Sequence, residues 1–130
     1  IEKPELLPYL SGLENLKLLA EIRNIISYDD IKHYMDKFGL NFNSKQIVKK
    51  YSLGMKQKLG IIQAIMEDPS LLLLDEPFNA LDAESVDILR SILLQYKEQG
   101  KLIILTSHHQ EDIMSVCNQV IHLQDGCILN

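Results

Sequence analysis

Four consecutive leucines, Leu71 to Leu74, run straight into Asp75, Glu76 and Pro77, and no other feature limits the fold of this chain so sharply. An unbroken apolar run of strand length, closed by a turn former, predicts a strand covered on both faces, the situation of parallel sheets. The residues that follow extend the pattern. Asp82 can cap a helix whose apolar face is Val86, Leu89, Ile92 and Leu93 or Tyr96, and Gly100 ends it. Leu102 to Thr106 then reads as a second buried strand, and Gln110 to Cys117 as a helix. Val120 to Leu123, an Asp125-Gly126 turn and Cys127 to Leu129 read as a strand and hairpin. Strand, helix, strand, helix, strand predicts a parallel sheet with crossover helices.

Ahead of Leu71 the periodicity is helical. Ser11 and Glu14 form a capping box for a helix from Gly12 to Ile26, with Leu13, Leu16, Leu19, Ala20 and Ile26 on its apolar face. A second helix is expected from Asp30 to Phe38, stopped by Gly39 in the left-handed conformation. Residues 41–50 are polar, with room for one helical turn, and Ser52 caps a third helix that reaches Asp68, where Pro69 forbids continuation. The chain therefore divides into a loop and helical part, residues 1–69, and an α/β part, residues 70–130.

Composition sets wider bounds. A chain of 130 residues that is 46% hydrophobic can bury a real core, and a formal charge of -5 without clustered Lys or Arg argues against a nucleic-acid or anionic-membrane surface. Cys117 and Cys127 lack the spacing of a zinc or redox motif and read as small apolar core residues of a reducing compartment. No apolar run exceeds four residues, far short of the roughly 20 that span a membrane, and the first residues have no signal-peptide pattern. The chain is therefore expected in the cytosol or as a soluble part of something larger. Ile1 in place of Met points to an internal start, and abundant Ile, Leu, Lys and Asn would suit an AT-rich bacterial genome.

Three places can carry chemistry. Asp75 and Glu76 stand at the carboxyl end of a strand, where ligands bind in open α/β sheets. An Asp there can hold Mg²⁺ and an adjacent Glu can polarise an attacking water; the plainer alternative is a strand ending in two solvated acids. Ser52, the amides near Gly54 and the positive end of the third helix can bind a terminal phosphate, or can be an ordinary cap with a glycine in the first turn. His108 follows the second strand at the same sheet edge and can hydrogen-bond a phosphate, or can be a polar loop residue like its neighbour His109. His33 is assigned to the surface and His122 to the sheet, without function.

Taken together, YSLGM at 51–55, LLLLDE at 71–76, NALD at 79–82 and TSH at 106–108 resemble the nucleotide-binding domain of ABC ATPases. On that resemblance they are the signature motif, the Walker B motif, the D-loop and the switch histidine. The opening IEKPELLPYLSGLENL resembles the segment after the central strand, with Glu2 standing where the family has a glutamine that senses magnesium and the transmembrane partner. The resemblance implies a partial P-loop NTPase fold, α/β in class, with the helical subdomain followed by part of the parallel-sheet core. It implies ATP and Mg²⁺ as ligands, Asp75 toward the metal, Glu76 as general base and His108 on the γ-phosphate. Ser52 and Gly54 would reach the nucleotide of a second nucleotide-binding domain in a head-to-tail dimer, and Asp82 would relay closure between the two sites. A transmembrane permease is the other implied partner, which would place the chain at the inner face of the cell membrane.

Departures from the family pattern refine this. Leu53 and Met55 replace a glycine and a glutamine of the signature, a form similar to the drug, bacteriocin and ABC-2-type exporters, and an acid at Glu2 resembles the lantibiotic immunity exporters. No G-x-x-x-x-G-K-[ST] occurs, so the chain reads as a portion without the phosphate-binding loop. Such a portion is expected to bind ATP weakly or not at all. It should also leave strand edges and an apolar sheet face uncovered, to be relieved by dimerising, exchanging an element or closing the gap. Two other functions fit the same surfaces: a non-catalytic helical and dimerisation module that meets a membrane partner through Glu2 to Leu16, or an ABC ATPase outside transport.

Overall fold

Residues 5–129 are described by a computed structural model; Glu2 lies outside them. The helical part holds α1 (Gly12–Arg23), α2 (Tyr28–Lys37), a single 3-10 turn (Val48–Lys50) and α3 (Leu53–Ile65). After it come β1 (Leu71–Asp75), α4 (Ala83–Glu98), β2 (Leu102–Thr106), α5 (Gln110–Val116), β3 (His122–Gln124) and β4 (Cys127–Leu129).

Local caps set where the helices start. Ser11 Oγ accepts the Glu14 N–H at 3.2 Å while Ser11 N–H donates to Glu14 Oε2 at 2.7 Å, the expected capping box. Ser52 and Asp82 cap α3 and α4 as the sequence predicts, each accepting a backbone N–H three residues on. The helix ends differ from expectation. α1 stops at Arg23 rather than Ile26 because Asn24, a residue that tolerates the left-handed region, turns there with φ 53. α2 begins at Tyr28 rather than Asp30, since the Ser27 hydroxyl caps it, and Gly39 follows it at φ +70 as expected. α3 ends at Ile65 rather than Asp68: a residue before proline is disfavoured from the helical region, and Asp68, preceding Pro69, takes φ 52.

The three N-terminal helices pack on one another through Leu16, Ile31, Met35, Leu59 and Ile62, all without exposed surface. Asn15, buried on α1, accepts the Leu7 N–H at 2.7 Å and donates to the Leu7 and Ser11 carbonyls, each at 3.0 Å. It thereby fixes the entry loop, whose Pro8 and Leu10 carbonyls also accept the N–H groups of Lys49 and Val48, both at 2.8 Å. From the other side of the core, the Tyr96 hydroxyl of α4 donates to the Ile65 carbonyl at 3.0 Å, joining the end of α3 to the crossover helix.

β1 and β2 pair in parallel, from Leu71↔Leu102 to Asp75↔Thr106, joined by α4 as a crossover. Neither strand is buried on both faces, which corrects the sequence expectation. Leu72 and Leu74 point into the core at 3% and 8% exposure, whereas Leu71, Leu73, Leu102 and Ile104 are 48% to 60% exposed on the opposite face. Only Leu73 borders another element there, across a cavity it shares with α3, so the apolar pattern specifies a fuller cover than the described residues supply. The expected third parallel strand is also corrected. Among the described residues β3 pairs only with β4, as an antiparallel hairpin closed by Asp125 and Gly126 at φ 51 and 77. Cys127 lies exposed on that hairpin and is not the core residue the composition suggested, whereas Cys117 is half-buried and packs against the core.

Replacing Leu73 and Ile104 together by lysine is expected to leave urea stability within about 0.5 kcal/mol and to reduce both dye binding to apolar surface and concentration-dependent light scattering. A variant that unfolds instead would show that this face is covered in solution.

Candidate functional site

Parallel pairing brings the carboxyl ends of β1 and β2 to one edge, and the candidate residues gather there. Thr106 lies opposite Asp75, and its hydroxyl donates to Asp75 Oδ1. The Glu76 N–H is shared between the Thr106 carbonyl and hydroxyl, each at 3.1 Å. With φ 46, Glu76 then turns the chain out of the strand, and the carboxylate reaches His108, whose Nε2 is 3.2 Å from Glu76 Oε1. The Glu76 side chain is 14% exposed and that of His108 92%, so the imidazole stands outermost, open to whatever approaches the edge. The sequence reading expected Asp75, Glu76 and His108 at one sheet edge, and the structure places them together.

Ser52 sits at the start of α3, exposed, its Oγ accepting the Met55 N–H at 3.1 Å. Gly54 has a structural cause that the sequence did not reveal: a Cβ there would stand 2.7 Å from the Ala80 carbonyl oxygen. The missing side chain lets the loop after β1 lie directly against the helix, with Ala80 itself at φ 61. Asp82 does two things at once. Its Oδ1 accepts the Ser85 N–H at 2.9 Å, capping α4, and its Oδ2 meets Lys58 Nζ at 2.6 Å. The Lys58 ammonium, with help from Ser85, holds the Asp82 carboxyl well below the usual carboxylate range.

Sequence reasoning missed two residues of this assembly. Gln57 Nε2 donates to the carbonyls of Glu76 and Pro77 at 3.3 and 3.1 Å, and Lys58 is the partner of Asp82. Their spacing of three and four from Gly54 was a legible sign of a common helix face.

Among the described residues no three His, Cys, Asp or Glu side chains cluster to hold a metal. Asp75, exposed and engaged by Thr106 through one oxygen, nevertheless fits a cation bound chiefly by water and phosphate, as Mg²⁺ is. The cavity between α3 and β1, lined by Gln57, Leu73 and Asp75 among others, is about 140 Å³, too small for a nucleotide, since ligand pockets start at roughly 300 Å³.

Helices followed by a parallel strand pair, with acids and a histidine at its carboxyl edge, make up part of a P-loop NTPase fold. Residues 1–79 match the family described as ABC transporter. The chain is 50% identical over 127 residues to the uncharacterized ABC transporter ATP-binding protein YybJ of Bacillus subtilis (strain 168), covering 97% of this chain and 58% of that protein. It is 37% identical to the bacitracin transport ATP-binding protein BcrA of Enterococcus faecalis, covering 97% of this chain and 41% of the relative. With the lantibiotic transport ATP-binding protein SrtF of Streptococcus pyogenes it shares 35% identity, covering 99% and 56%. The solved structure of an ATP binding subunit of an ABC transporter superposes with a TM-score of 0.86 at 27% identity, covering 98% of this chain and 55% of that one. This chain belongs to the ABC transporter family. It spans about half the length of the curated relatives it matches.

Gly54→Ala is expected to lower stability in urea by about 1–3 kcal/mol through overpacking against the Ala80 backbone, despite the higher helix propensity of alanine. A stabilised variant would show that the loop can draw back freely. The stabilisation from Asp82 should be complete above the unfolded carboxyl value of about 4 and be lost as pH falls through the lowered folded value. Asn at this position keeps the cap, so the stability gap between the chain and Asp82→Asn should close in that acid range. A gap that persists unchanged at pH 2 would contradict the ion pair.

Proposed function

We propose that this chain serves as part of the ATP-hydrolysing subunit of an ABC transporter, of the exporter type that handles drugs and bacteriocins. The contact between Glu76 and His108, 3.2 Å apart at the carboxyl edge of the sheet beside Asp75, carries this reading. Glu76, mostly enclosed, would accept the proton of an attacking water, and the exposed imidazole of His108 would hydrogen-bond a terminal phosphate. Asp75 would hold Mg²⁺, which neutralises phosphate charge when bound. Ser52 and the amides around Gly54 would offer the positive end of α3 to a phosphate held by a second nucleotide-binding domain, while Asp82 would couple the two sites. Residues 1–69 would act as the helical subdomain, with Glu2 toward a transmembrane permease, and residues 70–130 as half of the catalytic core.

The relatives named for bacitracin and lantibiotic transport support the exporter assignment, as do Leu53 and Met55 in the signature. No helix among the described residues is long and apolar enough to cross a membrane. On this reading a permease would hold the chain at the inner face of the cell membrane. The bare face of Leu71, Leu73, Leu102 and Ile104 is where further structure of a nucleotide-binding domain would pack. A non-catalytic docking module would have no use for the Glu76–His108 pair, which favours hydrolysis.

The test uses a chimera in which these 130 residues replace the matched region of YybJ. The chimera should bind and turn over Mg²⁺-ATP, Glu76→Gln should lower kcat by roughly a hundredfold or more with binding retained, and the chain alone should show no ATP binding by calorimetry. Undiminished turnover in the Glu76→Gln chimera would sink the assignment.

A further inference from the structure

Gly54, Gln57 and Lys58 occupy one face of α3, and all three meet the loop that joins β1 to α4. Gly54 admits the Ala80 carbonyl, Gln57 donates to the carbonyls of Glu76 and Pro77, and Lys58 meets Asp82 at 2.6 Å. The loop needs such support, because Glu76 at φ 46 and Ala80 at φ 61 both occupy a region that non-glycine residues keep only when their surroundings hold them there. Of the three contacts, only the one at Lys58 is ionic. Its side chain is 15% exposed against 54% for Asp82, so the ammonium is drawn largely out of water with the aspartate as its counterion.

We propose that Lys58 is a positioning residue: its ion pair with Asp82 latches the loop of residues 76–82 to the first turns of α3, so that Glu76 and the Ser52 end of the helix keep one geometry. The inference rests on the reading of Glu76 as general base, yet the latch can be measured separately from it. Lys58 contacts neither Glu76 nor His108 among the hydrogen bonds and ion pairs of the structure; it acts through Asp82 and the loop. Methionine at this position preserves the aliphatic stem, and Asp82→Asn preserves the cap of α4, so each variant removes little besides the charge pair.

Amide hydrogen exchange of the chain tests the latch directly. The N–H groups of Asn79 and Leu81 bond to the Glu76 and Phe78 carbonyls within the loop, and the Met66 N–H bonds to the Ile62 carbonyl as a reference at the C-terminal cap of α3. Exchange at Asn79 and Leu81 should rise about tenfold in Lys58→Met and in Asp82→Asn, rise no further in the double variant, and return in Lys58→Arg, with Met66 unchanged. Unaltered loop exchange overturns the latch, and so does an equal rise at Met66, which would mark general destabilisation. In the YybJ chimera Lys58→Met should lower kcat about tenfold with the KM for ATP unchanged, and Lys58→Arg should restore it. A loosened loop with undiminished kcat overturns the positioning role. If Glu76→Gln has no effect on turnover while Lys58→Met still lowers kcat, the latch stands and the assignment of Glu76 falls.

Discussion

The parallel pairing of β1 with β2 is the contact on which the rest of the molecule depends. An antiparallel pair would place the exits of the two strands at opposite ends, roughly 17 Å apart for strands of ordinary length. Parallel pairing requires a crossover, and α4 provides it by burying Leu89, Ile92, Leu93 and Tyr96. Once the register sets Asp75 opposite Thr106, the next residues emerge side by side, and the Glu76 N–H has the Thr106 carbonyl as partner. The meeting of Glu76 with His108 thus follows from burial on the far side of the sheet: core packing determines which acid meets which base.

Much of this was legible in the sequence wherever the signal was local. Ser11, Ser52 and Asp82 were identifiable as caps because each bonds a backbone N–H three residues on. Helix ends were harder to read. Asn24 and Asp68 stop their helices by turning left-handed, which many sequences permit and few require. The leucine run correctly gave a parallel strand but wrongly gave two covered faces, because hydrophobicity records what a surface suits and not what lies against it. β3 was misassigned for a related reason. The Asp125-Gly126 turn specifies a hairpin locally, while membership of the parallel sheet is a long-range property that a three-residue strand barely encodes. The candidate site followed the same rule: Asp75, Glu76 and His108 were found from strand ends, whereas the spacing of Gln57 and Lys58 from Gly54 marks a shared helix face without naming the distant loop atoms they bond.

The acids of this region are distinguished by their partners. Asp75 receives a hydroxyl, Glu76 an imidazole and Asp82 an ammonium. A lysine ammonium is a permanent charge near neutral pH, so its partner is held as a fixed anion, suited to capping a helix and anchoring a loop. The imidazole of His108 is instead largely exposed, so Glu76 meets a partner that is open to solvent and to whatever approaches the edge. Similar side chains a few residues apart are thereby held in different surroundings, Asp82 against a helix and Glu76 at the open edge of the sheet.

The magnitudes indicate why the loop between β1 and α4 needs more than Gln57. Two non-glycine residues in the left-handed region, Glu76 and Ala80, cost on the order of 1 kcal/mol each or somewhat more. The two hydrogen bonds from Gln57, one for each N–H of its amide nitrogen, contribute about 1 kcal/mol apiece. That roughly matches the lower end of the strain and leaves no margin, which the close seat of Gly54 and the Lys58–Asp82 pair supply. The conformation that aims Glu76 at His108 is therefore not a property of the strand end by itself: it is held from the helix face that begins at Ser52, and the two motifs form one mechanical unit.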